Sequence, residues 1–217
     1  MIDRPMNSIG FRIMSMYFRF RGYISPPTKI LERVGIQTGS AILDFGAGSG
    51  SYSIPAAQLV GPTGIVYAVD IHPLAIKEIR KKANTKRIKK IHVILTDCDT
   101  KLPDASIDFV LLFYVLHDFK NPDPILRELV RVIKPNGALA VIDHKFDKDK
   151  VVSTISHAAS ILNFNNAGPR NSKSKNEVLL FSKQESYPLT CYVIISIFIY
   201  IRSAKLNIDH LLEVNDE

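Results

Sequence analysis

The sequence predicts an α/β fold: a doubly wound, mostly parallel sheet of seven strands, with an N-terminal helical cap and an extra C-terminal tail. Three stretches carry that reading. Residues 41–50, A-I-L-D-F-G-A-G-S-G, pass from a short apolar strand through Asp44 into Gly46, Gly48 and Gly50. A buried strand that ends in alternate glycines and runs into a helix is how α/β proteins bring backbone close to a nucleotide. Val66–Asp70 reads as a second strand ending in an acid, at the spacing of a carboxylate that grips a ribose diol. Ile107–Leu116 is an almost unbroken apolar run, interrupted only by Asp108, as a central parallel strand covered on both faces requires.

The 217 residues suffice for one α/β domain with an appendage. A hydrophobic share of 46% against 23% charged residues is that of an ordinary globular chain. The net charge of +7 is compatible with anionic partners and equally with plain solubility. Cys98 and Cys191 form neither a disulfide framework nor a zinc spacing, so a reduced, cytoplasmic setting is expected. The first ten residues lack the apolar core of a secretory signal, and Met6 is an alternative initiator to Met1.

Taken in order, residues 8–21 read as an amphipathic helix. Ile9, Ile13, Met16, Tyr17 and Phe20 share a broad face, with Arg12, Ser15 and Arg19 opposite. Arginine interleaved with aromatics suits a membrane surface, and the same pattern suits a helix packed on the domain. Pro26-Pro27 stops the chain, and 28–35 is a short helix closed by Gly35. A helix over 51–60 follows the glycine loop, its first amides free to point at a ligand. Strand two is Ile65–Asp70, and 73–84 is a helix. Residues 77–90 hold eight basic side chains without interleaved aromatics, the pattern of a solvated face rather than a nucleic-acid surface.

Strand three, Ile91–Thr96, ends in Asp97-Cys98-Asp99, and strand four ends in Phe113-Tyr114-Val115-Leu116-His117-Asp118. A helix over 122–134 closes at Lys134-Pro135-Asn136-Gly137, where asparagine tolerates positive φ. Strand five is Ala138–Asp143, followed by His144 and Lys145. A helix over 149–162, a weak strand around 162–166, a polar loop over 167–176 and a last strand at Val178–Phe181 complete the domain. The tail holds an apolar run, Leu189–Ile201, shorter than the roughly 20 residues a spanning helix needs. Three segments result: a helical segment 1–26, a core domain 27–184, and an extension 185–217.

L-D-F-G-A-G-S-G followed by A-V-D resembles the first two motifs of class I S-adenosylmethionine-dependent methyltransferases, whose fold is Rossmann-like. Asp97-Cys98 with the following Leu102-Pro103 resembles that family's third motif, and R-V-I-K-P-N-G-A its turn before strand five, departing at Asn136 and Ala138. The resemblance covers roughly residues 27–184. It implies that Asp97 accepts from the adenine amino group and that the Cys98 amide donates to a ring nitrogen. Because the family's N-terminal segment often caps the substrate pocket, residues 8–21 are expected to pack on the domain.

The cofactor-binding set is therefore Asp44, Gly46, Ala47, Gly48, Gly50, Asp70, Ile71, Asp97, Cys98 and Tyr114, serving S-adenosyl-L-methionine. Phe113 or Tyr114 is placed to face a sulfonium, because an aromatic face attracts a cation. If the acceptor must lose a proton, His117 is the first candidate base, its ordinary pKa lying near neutrality, with Asp118 or His144 next. Catalytic candidates are thus His117, Asp118 and Tyr114. The six histidines are scattered, so no metal site is expected.

V-L-H-D after strand four resembles the branch acting on small molecules, such as quinone-biosynthesis C-methyltransferases, so a small-molecule acceptor is expected. The N/D-P-P-Y/F and Pro-Cys motifs of nucleic-acid methyltransferases are missing there, which argues against nucleic acid. A peripheral membrane contact through 8–21 or 189–201 stays open. So do three other readings: a protein or RNA methyltransferase, a cofactor-binding protein without turnover, and a nicotinamide-dependent oxidoreductase.

Overall fold

A computed structural model describes residues 5–160, 164–166 and 178–183. The chain divides into two units, Met1–Gln184 and Glu185–Glu217. The 189–201 run and the 167–176 loop lie outside the described residues.

Among the described residues the first unit contains one sheet of seven strands: β1 (Ala41–Phe45), β2 (Ile65–Asp70), β3 (Ile91–Leu95), β4 (Ile107–Phe113), β5 (Ile133–Ile142), β6 (Phe164–Asn166) and β7 (Leu179–Lys183). Their order across the sheet is β3-β2-β1-β4-β5-β7-β6. The neighbouring pairs from β3 across to β5 are parallel, and β7 runs antiparallel to both β5 and β6. The strand order reverses at β1 and β4, so a crevice opens above their carboxyl ends.

Helices cover both faces. On one side Ile125, Leu126 and Leu129 of α5 (Pro122–Val132), with Val151 and Ile155 of α6 (Lys148–Ser160), pack on Leu43, Val110 and Leu112. On the other, Leu31 and Val34 of α2 (Pro27–Val34) and Ala56 and Ala57 of α3 (Ser53–Leu59) pack on Ile42, Val66 and Leu111. Alternate β4 residues thus feed opposite cores, which is why its sequence is apolar without alternation. Asp108 interrupts that run near the strand's amino end. There it accepts from the Ala41 amide at 2.8 Å and from Lys134 Nζ at 2.8 Å, joining β4 to the start of β1 and to the β5 edge.

Most boundaries shift from the sequence expectation by a residue or two, and those at the ends of β4 and the start of β5 by more. β4 ends at Phe113 and the chain turns through a 3₁₀ segment, Leu116–Asp118. The Lys134–Gly137 turn is absorbed into β5 as a bulge: Ile107 pairs with Ile133, and pairing resumes at Phe109 with Ala138. Asn136 adopts φ 64°, as the turn requires.

The largest correction concerns α1 (Ser8–Ile24), capped by Asn7, whose side chain accepts from the Gly10 amide at 2.8 Å. The helix sits on the domain, but through Phe11, Met14, Ser15 and Phe18 rather than through the broader apolar stripe. Ser15, expected on the polar side, is buried. Ile9, Ile13, Met16, Tyr17 and Phe20 point outward. The helix carries two apolar stripes, so the width of one did not reveal which face docks.

Candidate active site

The site is built on a loop tied down at nearly every residue. After β1, the amides of Gly46 and Ala47 both donate to the Val69 carbonyl, at 2.8 and 2.9 Å. Gly46 has φ 79°, and a Cβ on it would stand 2.6 Å from Val115 Cγ2, so only glycine fits. Gly50 has φ 78°, and two helices approach it. A Cβ on it would stand 2.9 Å from Ile79 Cγ1 of α4 (Pro73–Thr85) and 3.4 Å from Ile54 Cγ1 of α3, the helix that follows. A Cβ on Gly48 would meet only Met14 Cε, at 3.7 Å, which leaves open space above the loop.

That space is a cavity of about 340 Å³, within the range of small-molecule sites. It lies over the carboxyl ends of β1, β2 and β4 and the turn after β3. Gly46, Ala47 and Gly48 form its floor with Asp70 and Ile71, and Asp97 closes the β3 side. Phe113, Tyr114 and Asp118 supply the β4 side, and Phe11, Met14 and Phe18 of α1 form its roof. The N-terminal helix therefore covers the cavity, as expected, although through its narrower face.

Asp70 holds this floor together. One carboxylate oxygen accepts from the Gly48 amide and the other from the His72 amide, each at 2.7 Å. Each oxygen retains a lone pair, so the group remains able to accept from a diol. Burial raises its pKa above the ordinary carboxylate value, against the lowering effect of these amides. His72 in turn accepts from the Leu74 amide through Nδ1, capping α4, and its ring lies 4.5 Å from that of Phe11.

Other predicted residues are not on the cavity wall. Asp44 is buried and directs its carboxylate beneath the loop to Ser53 Oγ, at 2.5 Å. Desolvation pushes its pKa up to about 7, the Ser53 hydrogen bonds opposing the rise and nearby Asp70 adding to it. Cys98 lies off the wall, with its amide donating to Thr96 Oγ1 at 3.3 Å, whereas Thr96 and Asp97 face the cavity. Gly50 lies in the packing layer behind the loop.

His117 also stands behind the wall. Its Nδ1 lies 2.9 Å from Asp143 Oδ2, and its Nε2 3.3 Å from Asp118 Oδ1. Asp143 accepts further from the Lys145 and Phe146 amides. Burial works against its ionisation, but these hydrogen bonds prevail and hold its carboxyl below the ordinary value. The group facing the cavity is therefore Asp118, with His117 behind it. His117, Asp143 and His144 bring donor atoms within 4.8 Å of one another, a possible ligand set that the linear spacing of histidines concealed. Burial and the neighbouring His117 push the His144 pKa down.

Tyr114 occupies the left-handed region, φ 61°, which is costly for a bulky residue. Its amide donates to the Ile142 carbonyl at 2.7 Å, and its ring sits among Phe18, Tyr52 and His144. Arg21 of α1 donates to its hydroxyl and holds its guanidinium 4.3 Å from the ring centroid. A cation of the chain itself thus lies over the Tyr114 ring, and both Tyr114 and Phe113 line the cavity. Tyr52, Ser49 and Ser51 line the cavity as well and were not foreseen. Their place directly after the glycines was the available signal.

The sheet order, the glycine loop and the carboxylates at successive strand ends define a class I S-adenosylmethionine-dependent methyltransferase. The family described as a methyltransferase domain matches residues 36–190, well over half of the chain, and the chain belongs to it. Among curated relatives it is 28% identical to a demethylmenaquinone methyltransferase of Listeria welshimeri over 131 residues, 60% of this chain and 56% of that one. It is 29% identical over 125 residues to a ubiquinone/menaquinone biosynthesis C-methyltransferase of Pseudomonas entomophila, 57% and 49% of the two chains. The chain thus spans about half the length of the curated relatives it matches. Among solved structures, a SAM-dependent methyltransferase from Aquifex aeolicus superposes with a TM-score of 0.63 at 27% identity, covering 72% of this chain and 88% of that one. A Methanococcus maripaludis protein, with a TM-score of 0.70 at 13% identity and coverage of 87% and 99%, shares the fold.

Proposed function

We propose that the protein transfers a methyl group by in-line displacement to a small-molecule acceptor held beneath α1. The observation that carries this reading is the joining of the glycine loop to Asp70 on the floor of a cavity roofed by aromatic and thioether side chains. The residues present suit S-adenosylmethionine: Gly48 leaves room above the loop, Asp70 keeps acceptor capacity for a ribose diol, and Asp97 stands where an exocyclic amino group would be read. When bound, the cofactor supplies a methyl group on a sulfonium, already joined to a good leaving group.

What remains for the chain is alignment and exclusion of water. Orientation of this kind is worth up to roughly 7–11 kcal/mol. Phe11, Met14 and Phe18 cover the reacting space, and Phe113 offers an aromatic surface to a cation at the strand end. Asp118 faces the acceptor and takes its proton where one must leave. His117, fixed by Asp143, lies within reach of Asp118 to share that proton. The resemblance to quinone C-methyltransferases supports a small, ring-bearing acceptor over a macromolecule, and we place the reaction in the cytoplasm.

The test is incubation of the full chain with methyl-labelled S-adenosylmethionine and a fractionated cell extract. Label in a low-mass organic fraction is the expected result. Label in protein or RNA would replace the small-molecule reading, and cofactor binding without any transfer would remove the enzymatic one.

A further inference from the structure

The outward face of α1 serves neither the fold nor the cavity. Ile9, Ile13, Met16, Tyr17 and Phe20 are 59–72% exposed. The spacing i, i+4, i+7, i+8, i+11 places them on one side of the helix, so they form a continuous apolar strip. Soluble chains seldom leave such a strip bare unless something covers it.

The charge beside the strip identifies the occupant. Arg12 and Arg19 are exposed on the same helix, and no acidic residue lies between Asp3 and Glu32. α1 passes beside the start of α4: the Phe11 ring meets His72, which caps that helix, and Arg19 lies near enough to Lys82 to act on its charge. The chain as a whole carries +7. Among the described residues no helix is long and apolar enough to cross a membrane. An apolar strip of this width edged by arginine matches a helix lying in the interface of an anionic bilayer.

We infer that the outer face of α1 docks the protein on the surface of an anionic phospholipid bilayer. Ile13, Met16 and Phe20 enter the acyl boundary while Arg12 and Arg19 meet the phosphates. The inner face of the same helix keeps its place over the cavity. The inference stands on exposure and charge, and holds whether or not the catalytic reading does.

The experiment is co-sedimentation of the full chain with vesicles of phosphatidylcholine alone and of an equal mixture with phosphatidylglycerol, at low and high salt. Binding to the mixed vesicles, weakened by salt and small on the neutral ones, is expected. The doubly substituted Ile13→Asp/Phe20→Asp should lose that binding, and Arg12→Glu/Arg19→Glu should weaken it by about tenfold or more. Neither pair lines the cavity, so both variants should melt like the parent. Failure of the parent chain to bind mixed vesicles, or unchanged binding by Ile13→Asp/Phe20→Asp, would overturn the inference. So would a lipid-free dimer that this variant dissolves, because a second copy would then be what covers the face.

Discussion

His117 Nδ1 lies 2.9 Å from Asp143 Oδ2, and the same imidazole presents Nε2 to Asp118 at the edge of the cavity. The proposed proton acceptor is therefore Asp118, which lines the cavity one residue from the histidine that the sequence favours. If the acceptor loses a proton, Asp118→Asn should lower kcat by roughly a hundredfold or more. Asp143→Asn should lower it less and shift the pH profile, because it frees the orientation of His117 without touching the acceptor. Steady-state rates across pH for both variants check this. An unchanged Asp118→Asn rate would show that no base is needed there.

Asp44 gives a pH signature to stability. Its carboxyl titrates near 3.8 when unfolded and near 7 when buried. The folded chain therefore binds more protons across that window, and stability falls as pH rises through it. Asp44→Asn should flatten this slope and be the more stable protein above the window, by on the order of a few kcal/mol. Urea midpoints of both proteins across the window provide the check. Asp143 acts in the opposite sense: its lowered pKa contributes stability above the unfolded value, lost as pH falls through the folded one.

Gly46→Ala should destabilise the fold by about 1–3 kcal/mol, since the new Cβ would collide with Val115 and the residue would keep φ 79°. The denaturant midpoint measures this directly. Gly48→Ala, whose Cβ would enter open space, should cost less stability and more cofactor affinity.

The fold was largely legible because its signals are local. Glycines at alternate positions, acids after short apolar runs and proline at helix starts fix strand ends within a few residues of their observed places. What stayed hidden depends on tertiary direction. The periodicity of α1 shows two apolar stripes, and only the cavity beneath explains why Phe11, Met14 and Phe18 face inward. Asp44 and Asp70 look alike in sequence, yet Asp44 turns under the loop to Ser53 and Asp70 into the cavity. His117, Asp143 and His144 meet because β4 and β5 are neighbours, a relationship no linear spacing announces. The left-handed backbone of Tyr114 leaves no mark on composition at all.

The central claim is that the loop after β1 and the Asp70 carboxylate together seat S-adenosylmethionine. Isothermal titration of the full chain and of Asp70→Ala with that cofactor tests it most directly. Loss of charge-assisted hydrogen bonds worth about 1.5–3 kcal/mol predicts a ten- to hundredfold weaker affinity for a variant that still melts cooperatively. Equal affinity in the two proteins, or no binding by the parent chain, would contradict the account.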